Sequence, residues 1–145
     1  MAVFDGKTNE TIDKIAEALK PVVKIPEWAH FIKTGPGKER LPDDPEWYLK
    51  RTAAILRTVY IRGPVGVAKL RVKFGNKKNR GHKPGRFTPA GGKIIRTALQ
   101  QLEKAQLIEF KKIDNHSGRI VTAKGRSLVD KNTVRWQNSY ISQKS

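Results

Sequence analysis

The residues best suited to chemistry in this sequence are scattered, and they form no catalytic or metal-binding pattern. His30, His82 and His116 have no ligand spacing between them, and the chain contains no cysteine. Because zinc sites need Cys and His ligands at short spacings, we predict neither a metal site nor a cofactor. Asp43 and Asp44 are adjacent, but a turn followed by a helix N-cap explains them better than a general acid and base do.

One segment, Gly35-Pro36-Gly37-Lys38, superficially resembles a phosphate-binding loop. It lacks the Gly-x-x-x-x-Gly-Lys-Ser/Thr spacing, and no apolar strand precedes it. Its turn residues are typical of a surface loop. An enzyme acting on nucleic acid would also need grouped carboxylates to hold a metal ion, and the basic half of the chain has none. We therefore predict a protein that is not an enzyme and has no small-molecule substrate.

The chemistry that the sequence does support is the binding of a polyanion by lysine and arginine. The chain carries a net charge of +17 over 145 residues, and residues 61–100 hold eleven Lys and Arg with no acid. No carboxylate occurs between Glu46 and Glu103. Each phosphate that such a surface neutralises releases a condensed counterion, which favours nucleic acid as the partner. A basic protein without a partner is the less favoured alternative, because self-repulsion opposes compaction.

The candidate contacts lie on a central helix, in a basic loop, on a later helix and on a hairpin. Arg51 and Arg57 stand out because the other faces of their helix are predicted to be buried. Trp47 lies beside them, and we interpret it as a packing anchor in preference to a base-stacking residue. The residues of the basic loop are predicted either to remain flexible or, as their uniform charge favours, to order on RNA. The predicted RNA-binding set is Lys50, Arg51, Arg57, Arg62, Lys69, Lys77, Lys78, Arg80, Lys83, Arg86, Lys93, Arg96, Lys111 and Lys112.

Two helices in the first half of the chain would carry or support this set. The first begins near Thr8 or Asn9 and ends at Pro21, since proline removes a backbone donor. The central helix is predicted to begin at Asp44-Pro45-Glu46. Asp44 would be the N-cap, Pro45 the first helical residue and Glu46 an acid in the first turn. The helix ends at Gly63-Pro64. Its wide apolar arc predicts packing against several neighbours.

The second half of the chain is predicted to contain shorter elements separated by turns. Strands are indicated by β-rich runs with turn residues between them, and a final helix is indicated by a threonine cap. The predicted elements are a helix from Val65 to Phe74, a basic loop from Gly75 to Phe87, a helix that starts at Thr88-Pro89, strands at Leu107–Ile113 and Arg119–Thr122 with a turn at Asp114–Gly118, and a helix from Ala123 to about Trp136 capped by Thr122.

The order helix, short helix, helix and hairpin is that of a winged helix-turn-helix domain. We therefore predict a mainly α fold with one β-hairpin wing, built around the central helix. Residues 1–136 would form a single domain, and residues 137–145 a polar C-terminal tail. No apolar run reaches the ~20 residues that span a bilayer. Together with the lack of cysteine, this favours a cytoplasmic protein without a membrane partner.

Several segments together resemble one family, the small-subunit ribosomal proteins numbered nineteen in the archaeal and eukaryotic series. They occur in order over nearly the whole chain, which makes the set specific. The segments are Ile25-Pro26-Glu27-Trp28-Ala29, Lys33-Thr34-Gly35, Asp44-Pro45-Glu46-Trp47-Tyr48, Tyr60-Ile61-Arg62-Gly63-Pro64-Val65-Gly66-Val67, Asn79-Arg80-Gly81, Leu99-Gln100-Gln101-Leu102-Glu103 and Gly118-Arg119-Ile120-Val121-Thr122.

The resemblance implies a role in the head of the small subunit, where family members bind ribosomal RNA beside neighbouring ribosomal proteins. It also implies a winged-helix-like core and, in eukaryotes, a part in subunit maturation. The family's RNA-contact positions map to Arg51, Arg57, Arg62 and Arg96. Pro64 stands where eukaryotic members tend to carry glycine, which gives the chain an archaeal character.

The main alternative is a winged-helix DNA-binding transcription regulator, which shares the same order of elements. Such regulators usually dimerise, because paired half-sites require two-fold symmetry. The first 60 residues of this chain are near neutral and lack a long apolar stripe for self-association. We therefore predict a monomer when the protein is free, whereas a stable dimer in size exclusion would favour the regulator.

Overall fold

In the computed structural model, which describes residues 2–135, five α-helices surround one core and two antiparallel hairpins extend from it. This confirms the predicted mainly helical class. The elements are α1 (Thr8–Leu19), α2 (Trp47–Arg62), α3 (Val67–Lys73), β1 (Asn76–Arg80), β2 (Lys83–Thr88), α4 (Gly92–Lys104), β3 (Ile108–Ile113), β4 (His116–Val121) and α5 (Ala123–Asn132), with 3-10 turns at Ala2–Phe4 and Glu27–His30.

Helix α1 begins at the predicted residue, Thr8, and places one apolar face on the core. Ile15 and Leu19 are fully buried one turn apart, and Ala16 lies between them. The helix ends at Leu19, just before Pro21. It packs against α2 and α5, so it supports the central helix from one side.

Helix α2 is the central helix, and half of its side chains are buried. It ends at Arg62 before Gly63, whose φ of 69° lies in the region that favours glycine, as predicted. It begins at Trp47, later than predicted, because Asp44 Oδ1 accepts a hydrogen bond of 2.9 Å from the Glu46 backbone N–H and closes a separate turn. The buried residues are Tyr48, Leu49, Thr52, Ala53, Ile55, Leu56, Thr58 and Val59.

A chain of hydrogen bonds joins α2 to α4 at the buried Tyr48. The Tyr48 hydroxyl donates to Gln101 Oε1 at 2.7 Å, and Gln101 Nε2 donates to the Lys24 carbonyl at 2.8 Å. Burial raises the pKa of Tyr48 to about 12. Because the phenol stays protonated, it remains a donor that holds α4 and the segment before the Glu27–His30 turn against α2.

The first hairpin, β1–β2, lies where an irregular basic loop was predicted over residues 75–87. The prediction of a single hairpin is therefore wrong, and the described chain has two. The strands show no apolar alternation because nearly all of their side chains are exposed, so the usual signal for a strand is missing. Thr88 pairs with Asn76 at the open end of this ladder, so the predicted helix start at Thr88-Pro89 is also wrong. Helix α4 begins at Gly92.

The second hairpin, β3–β4, was predicted from the sequence, although its turn is shorter than predicted. Ile113 pairs with His116, which leaves only Asp114 and Asn115 in the turn, with Asp114 at a φ of 51°. A β-bridge joins Val65 to Arg119 of β4, with N–H···O distances of 2.9 and 3.2 Å. The hairpin is thereby tied to the segment that connects α2 to α3.

Helix α5 follows β4 directly and has the predicted cap. The Gly125 backbone N–H donates to Thr122 Oγ1 at 3.2 Å. The helix ends at Asn132, and Thr133 is extended, so the predicted extension to Trp136 is wrong. The predicted tail, residues 137–145, lies outside the described residues.

Candidate nucleic-acid interface

Arg51 of α2 is half-buried and is held in place by an aromatic ring. Its guanidinium stands 4.6 Å from the centroid of Phe74, in a cation–π arrangement. Burial lowers its pKa, but an arginine remains charged at neutral pH. The contact pre-positions a cation on α2 without neutralising it.

Arg57, Arg62 and Lys73 form a second group of cations, which we call the α2–α3 cluster. Burial lowers the pKa of Lys73 first, and the charges of Arg62 and Arg57 lower it further. Arg57 donates to Thr8 Oγ1 at 3.5 Å, while its buried Nε has no hydrogen-bond partner. Within residues 2–135 no carboxylate forms an ion pair with any of the three. The cluster is therefore a place where an anion would relieve repulsion.

Lys50, also predicted as a contact, is already engaged by acids of the protein. Its ammonium pairs with Asp44 and lies 3.7 Å from Asp13. The hydrogen bond to Asp44 is the main reason that the pKa of Lys50 is raised. A phosphate would have to compete with these carboxylates, so Lys50 is the weakest candidate on α2.

The hairpin β1–β2 carries five exposed cations and no acid. In its register Lys78 lies opposite Arg86, and Arg80 lies opposite Lys83. Like charges directly opposite each other destabilise an antiparallel pair. Repulsion between these like charges therefore destabilises the hairpin, and a polyanion that binds to it would stabilise it.

We predict that RNA slows amide hydrogen exchange in β1 and β2 by about tenfold or more, because it screens the cation pairs. The substitution Lys78→Glu should slow exchange without RNA, since it turns one repulsive pair into an attractive one. Amides of α1 serve as the internal control in the same spectra. Unchanged exchange in the free Lys78→Glu protein would show that charge repulsion does not limit the hairpin's stability.

Helix α4 presents Lys93 and Arg96, both members of the predicted RNA-binding set, to solvent and buries Ile94, Ile95, Ala98, Leu99 and Leu102. The Lys93 ammonium stands 4.8 Å from the centroid of Trp28. The Arg96 guanidinium lies over Gly92, where a Cβ would come within 2.8 Å of Nη1.

Of the other predicted contacts, Lys69 is exposed on α3, and Lys111 and Lys112 are exposed near the tip of β3–β4. Lys111 and Lys112 thus lie on a different hairpin from the five cations of β1–β2. The structure thus distributes the predicted set over several elements and does not collect it in one pocket.

Two basic residues on α3, Arg71 and Lys73, were missing from the predicted set. Arg71 donates from Nε to the Ala90 carbonyl at 2.9 Å and lies beside Gly92 at the start of α4. Both lie inside the acid-free stretch between Glu46 and Glu103, which is the signal in the sequence that points to them.

The described part of the chain contains neither a cluster of metal ligands nor a membrane-spanning helix. Over residues 2–135 no group of three or more His, Cys, Asp or Glu side chains is placed to hold a metal ion. None of the helices in that range is long and apolar enough to cross a membrane.

These observations define a small, strongly basic and mainly helical protein with two hairpins and a broad cationic surface. The profile of the family Ribosomal protein S19e matches residues 2–138. The chain is 45% identical over 123 residues to small ribosomal subunit protein eS19 of Aeropyrum pernix, covering 82% of this chain and 78% of that protein.

Two further relatives come from a eukaryote and an archaeon. Small ribosomal subunit protein eS19G of Ascaris suum is 40% identical over 132 residues, 90% of this chain and 88% of the relative. Protein eS19 of Haloarcula marismortui is 40% identical over 134 residues, 88% of this chain and 86% of the relative. The chain belongs to the ribosomal protein S19e family, which confirms the resemblance predicted from its motifs.

Proposed function

We propose that this protein is a structural constituent of the small ribosomal subunit that binds ribosomal RNA in the subunit head, supports subunit assembly and works in the cytoplasm. Its relatives carry the name small ribosomal subunit protein. Neighbouring ribosomal proteins of the head would be its other partners. The role is that of a scaffold, so no residue is assigned a catalytic part.

One observation carries this proposal. Between Glu46 and Glu103 the chain has fourteen Lys and Arg and no acid. Among residues 2–135, only Lys50 of these fourteen forms an ion pair. A solvated protein surface normally mixes its signs, so a long run of unpaired cations favours phosphate as the missing counter-charge.

The mechanism follows from the distribution of these cations over several elements. Lysines and arginines on α2, α3, α4 and both hairpins would neutralise phosphates where several RNA helices converge, and so fix the relative placement of those helices. The proposed contacts are Arg51, Arg57, Arg62, Lys69, Arg71, Lys73, Lys77, Lys78, Arg80, Lys83, Arg86, Lys93, Arg96, Lys111 and Lys112, with Lys50 as a weaker one.

We also propose a single winged-helix-like domain over residues 1–136. Helices α2, α3 and α4 precede the wing β3–β4 in the order of that fold, and the bridge from Val65 to Arg119 ties the wing to the helices. The connection between α3 and α4 departs from the simple motif, because it contains the hairpin β1–β2 where a turn of 3–4 residues is usual.

A contact made just before α4 disfavours the DNA-binding regulator. A recognition helix reads base edges with residues near its N-terminus. Here the Gly91 backbone N–H donates to the Thr34 carbonyl at 3.0 Å, and a Cβ on Gly35 would lie 3.3 Å from the Ala90 Cα. The loop before α2 therefore packs against the residues that immediately precede α4 and would crowd a DNA backbone at that end, although Lys93 and Arg96 stay exposed.

The test is a titration with a fragment of small-subunit RNA from the head and with duplex DNA of matched length, over a salt series. We expect tight RNA binding that survives DNA competition. The affinity should fall steeply with salt, by about 0.7 to 0.9 logarithmic units per phosphate contact for each tenfold rise in salt. Equal or tighter binding to the DNA, or a stable dimer in size exclusion, would contradict the proposal.

A further inference from the structure

A cavity of about 480 Å³ lies between the loop of residues 34–44 and the first half of α2. The loop contributes Lys38, Arg40 and Asp43, and α2 contributes Trp47 and Ala54. Ligand pockets in proteins typically enclose about 300–1,000 Å³. The cavity is therefore large enough to take a nucleotide.

Trp47 forms an aromatic wall of this cavity, and its position is fixed. Its indole Nε1 donates to the Ala29 carbonyl at 3.2 Å, and its ring meets Tyr48 edge-on at 5.9 Å between centroids. The ring is only half-buried and lines the cavity together with Ala54. A rigid, half-exposed indole is a surface on which a nucleobase stacks. Trp47 can thus anchor its helix through the nitrogen and still present a ring to a base.

Two exposed cations and one half-buried cation line the cavity. Lys38 and Arg40 are exposed, and Arg51 is held over Phe74. In the described part of the chain none of the three has a carboxylate partner. Lys50 also lines the cavity, but its charge is engaged by Asp44. The wall is therefore cationic where it lies near solvent.

The presence of Asp43 in the wall of the cavity is not explained by phosphate binding. It lines the same cavity, is exposed and pairs with no cation among residues 2–135. A carboxylate would repel a phosphate, but it accepts hydrogen bonds from two donors at once. Guanine presents two adjacent N–H donors, at N1 and N2, on its Watson–Crick edge, whereas uracil presents one. The combination of this carboxylate with the cations and the indole points to guanine.

We propose that this cavity binds a guanosine 5′-nucleotide unit. The base stacks on Trp47, its Watson–Crick edge donates to Asp43, and the phosphate lies by Lys38 and Arg40. The inference rests on the proposed function, because an unstacked guanosine of the bound RNA is the expected source. A free nucleotide has the same chemistry, and the experiment separates the two.

The first arm titrates the full-length, ¹⁵N-labelled protein with GMP, UMP and ribose 5-phosphate and follows the backbone and indole N–H signals. GMP should shift the signals of Trp47 and Asp43 and bind about tenfold tighter than UMP, because one more charge-assisted hydrogen bond forms. Ribose 5-phosphate should leave the Trp47 indole signal unchanged. Equal shifts by all three ligands would reduce the site to a general anion site and overturn the proposal.

The second arm compares Asp43→Ala with Asp5→Ala, which removes an exposed carboxylate outside the cavity. Both variants raise the net charge by one, so simple electrostatics predicts slightly tighter binding of any phosphate compound. The proposed site predicts the opposite change, a loss of affinity, for only one of the two variants. Asp43→Ala should weaken GMP binding about tenfold, whereas Asp5→Ala should not weaken it. A gain or no change in Asp43→Ala would overturn the proposal.

The third arm measures both variants against the head RNA fragment. A loss in Asp43→Ala alone supports an RNA guanosine as the occupant, and a loss confined to GMP supports a free nucleotide. RNA binding that persists while GMP shows no contact with Trp47 overturns the cavity proposal and leaves the proposed function standing. If the wild-type protein fails to bind RNA, the proposed function fails, and the first two arms still decide the cavity.

Discussion

Replacing Arg62 with glutamate is expected to weaken binding to the head RNA fragment by about 10- to 100-fold at physiological salt, because it removes a charge-assisted contact and adds repulsion. The slope of affinity against salt should also become shallower by about one logarithmic unit. Stability should change little. Arg62 is exposed, and its removal relieves repulsion with Lys73, which offsets the loss of a favourable cation at the C-terminus of α2.

The matched control is Lys14→Glu, an equal change of charge at an exposed position on α1. It should lose far less affinity, because α1 lies in the near-neutral part of the chain. Arg62→Lys should retain most of the binding if the contact is mainly one of charge. Equal losses in Arg62→Glu and Lys14→Glu would mean that the protein binds through its net charge alone. An unfolded circular dichroism spectrum for Arg62→Glu would assign this arginine to the fold.

The helices could be predicted from the sequence because they bury one regular face. In α1, Ile15 and Leu19 recur at helical spacing, and in α4 the buried residues Ile94, Ile95, Ala98, Leu99 and Leu102 do the same. The hairpin β1–β2 could not be predicted, because its exposed cations carry no apolar periodicity and its pairing rests on backbone hydrogen bonds. The start of α4 was predicted wrongly for the same reason. Thr88-Pro89 has the local sequence of a helix start, but Thr88 pairs with Asn76 in the β1–β2 ladder.

The candidate site was predictable as a region, but its details depend on tertiary contacts. Charge alone marked the acid-free stretch that contains Arg57 and Arg62. The engagement of Lys50 by Asp13 of α1 depends on how two helices pack, and no local pattern encodes it. The cavity beside Trp47 likewise depends on how the loop of residues 34–44 lies against α2. Spacing along the chain carries no information on either contact.

Replacing Gly125 with alanine is expected to destabilise the domain by about 3 kcal/mol and to lower its melting temperature by about 10 °C. A Cβ at this position would lie 2.1 Å from the Leu107 carbonyl oxygen and 2.8 Å from Val121 Cγ2. The carbonyl cannot easily move away, since it accepts hydrogen bonds from the backbone N–H of Thr122 at 3.0 Å and from its hydroxyl at 3.1 Å. Either α5 or the start of the second hairpin must therefore shift.

The control for this prediction is Gly66→Ala, because no atom lies within 4 Å of the Cβ that it would add. Thermal and urea unfolding should show at most about 1 kcal/mol of loss there, from the weaker helix cap. A small effect of Gly125→Ala would mean that α5 packs loosely on the hairpin. Because Gly125 lies on α5, the Gly125→Ala protein that remains folded at low temperature should bind RNA with nearly normal affinity through the α2–α3 cluster. Such a result would separate the glycine's role in packing from the role of the cations in binding.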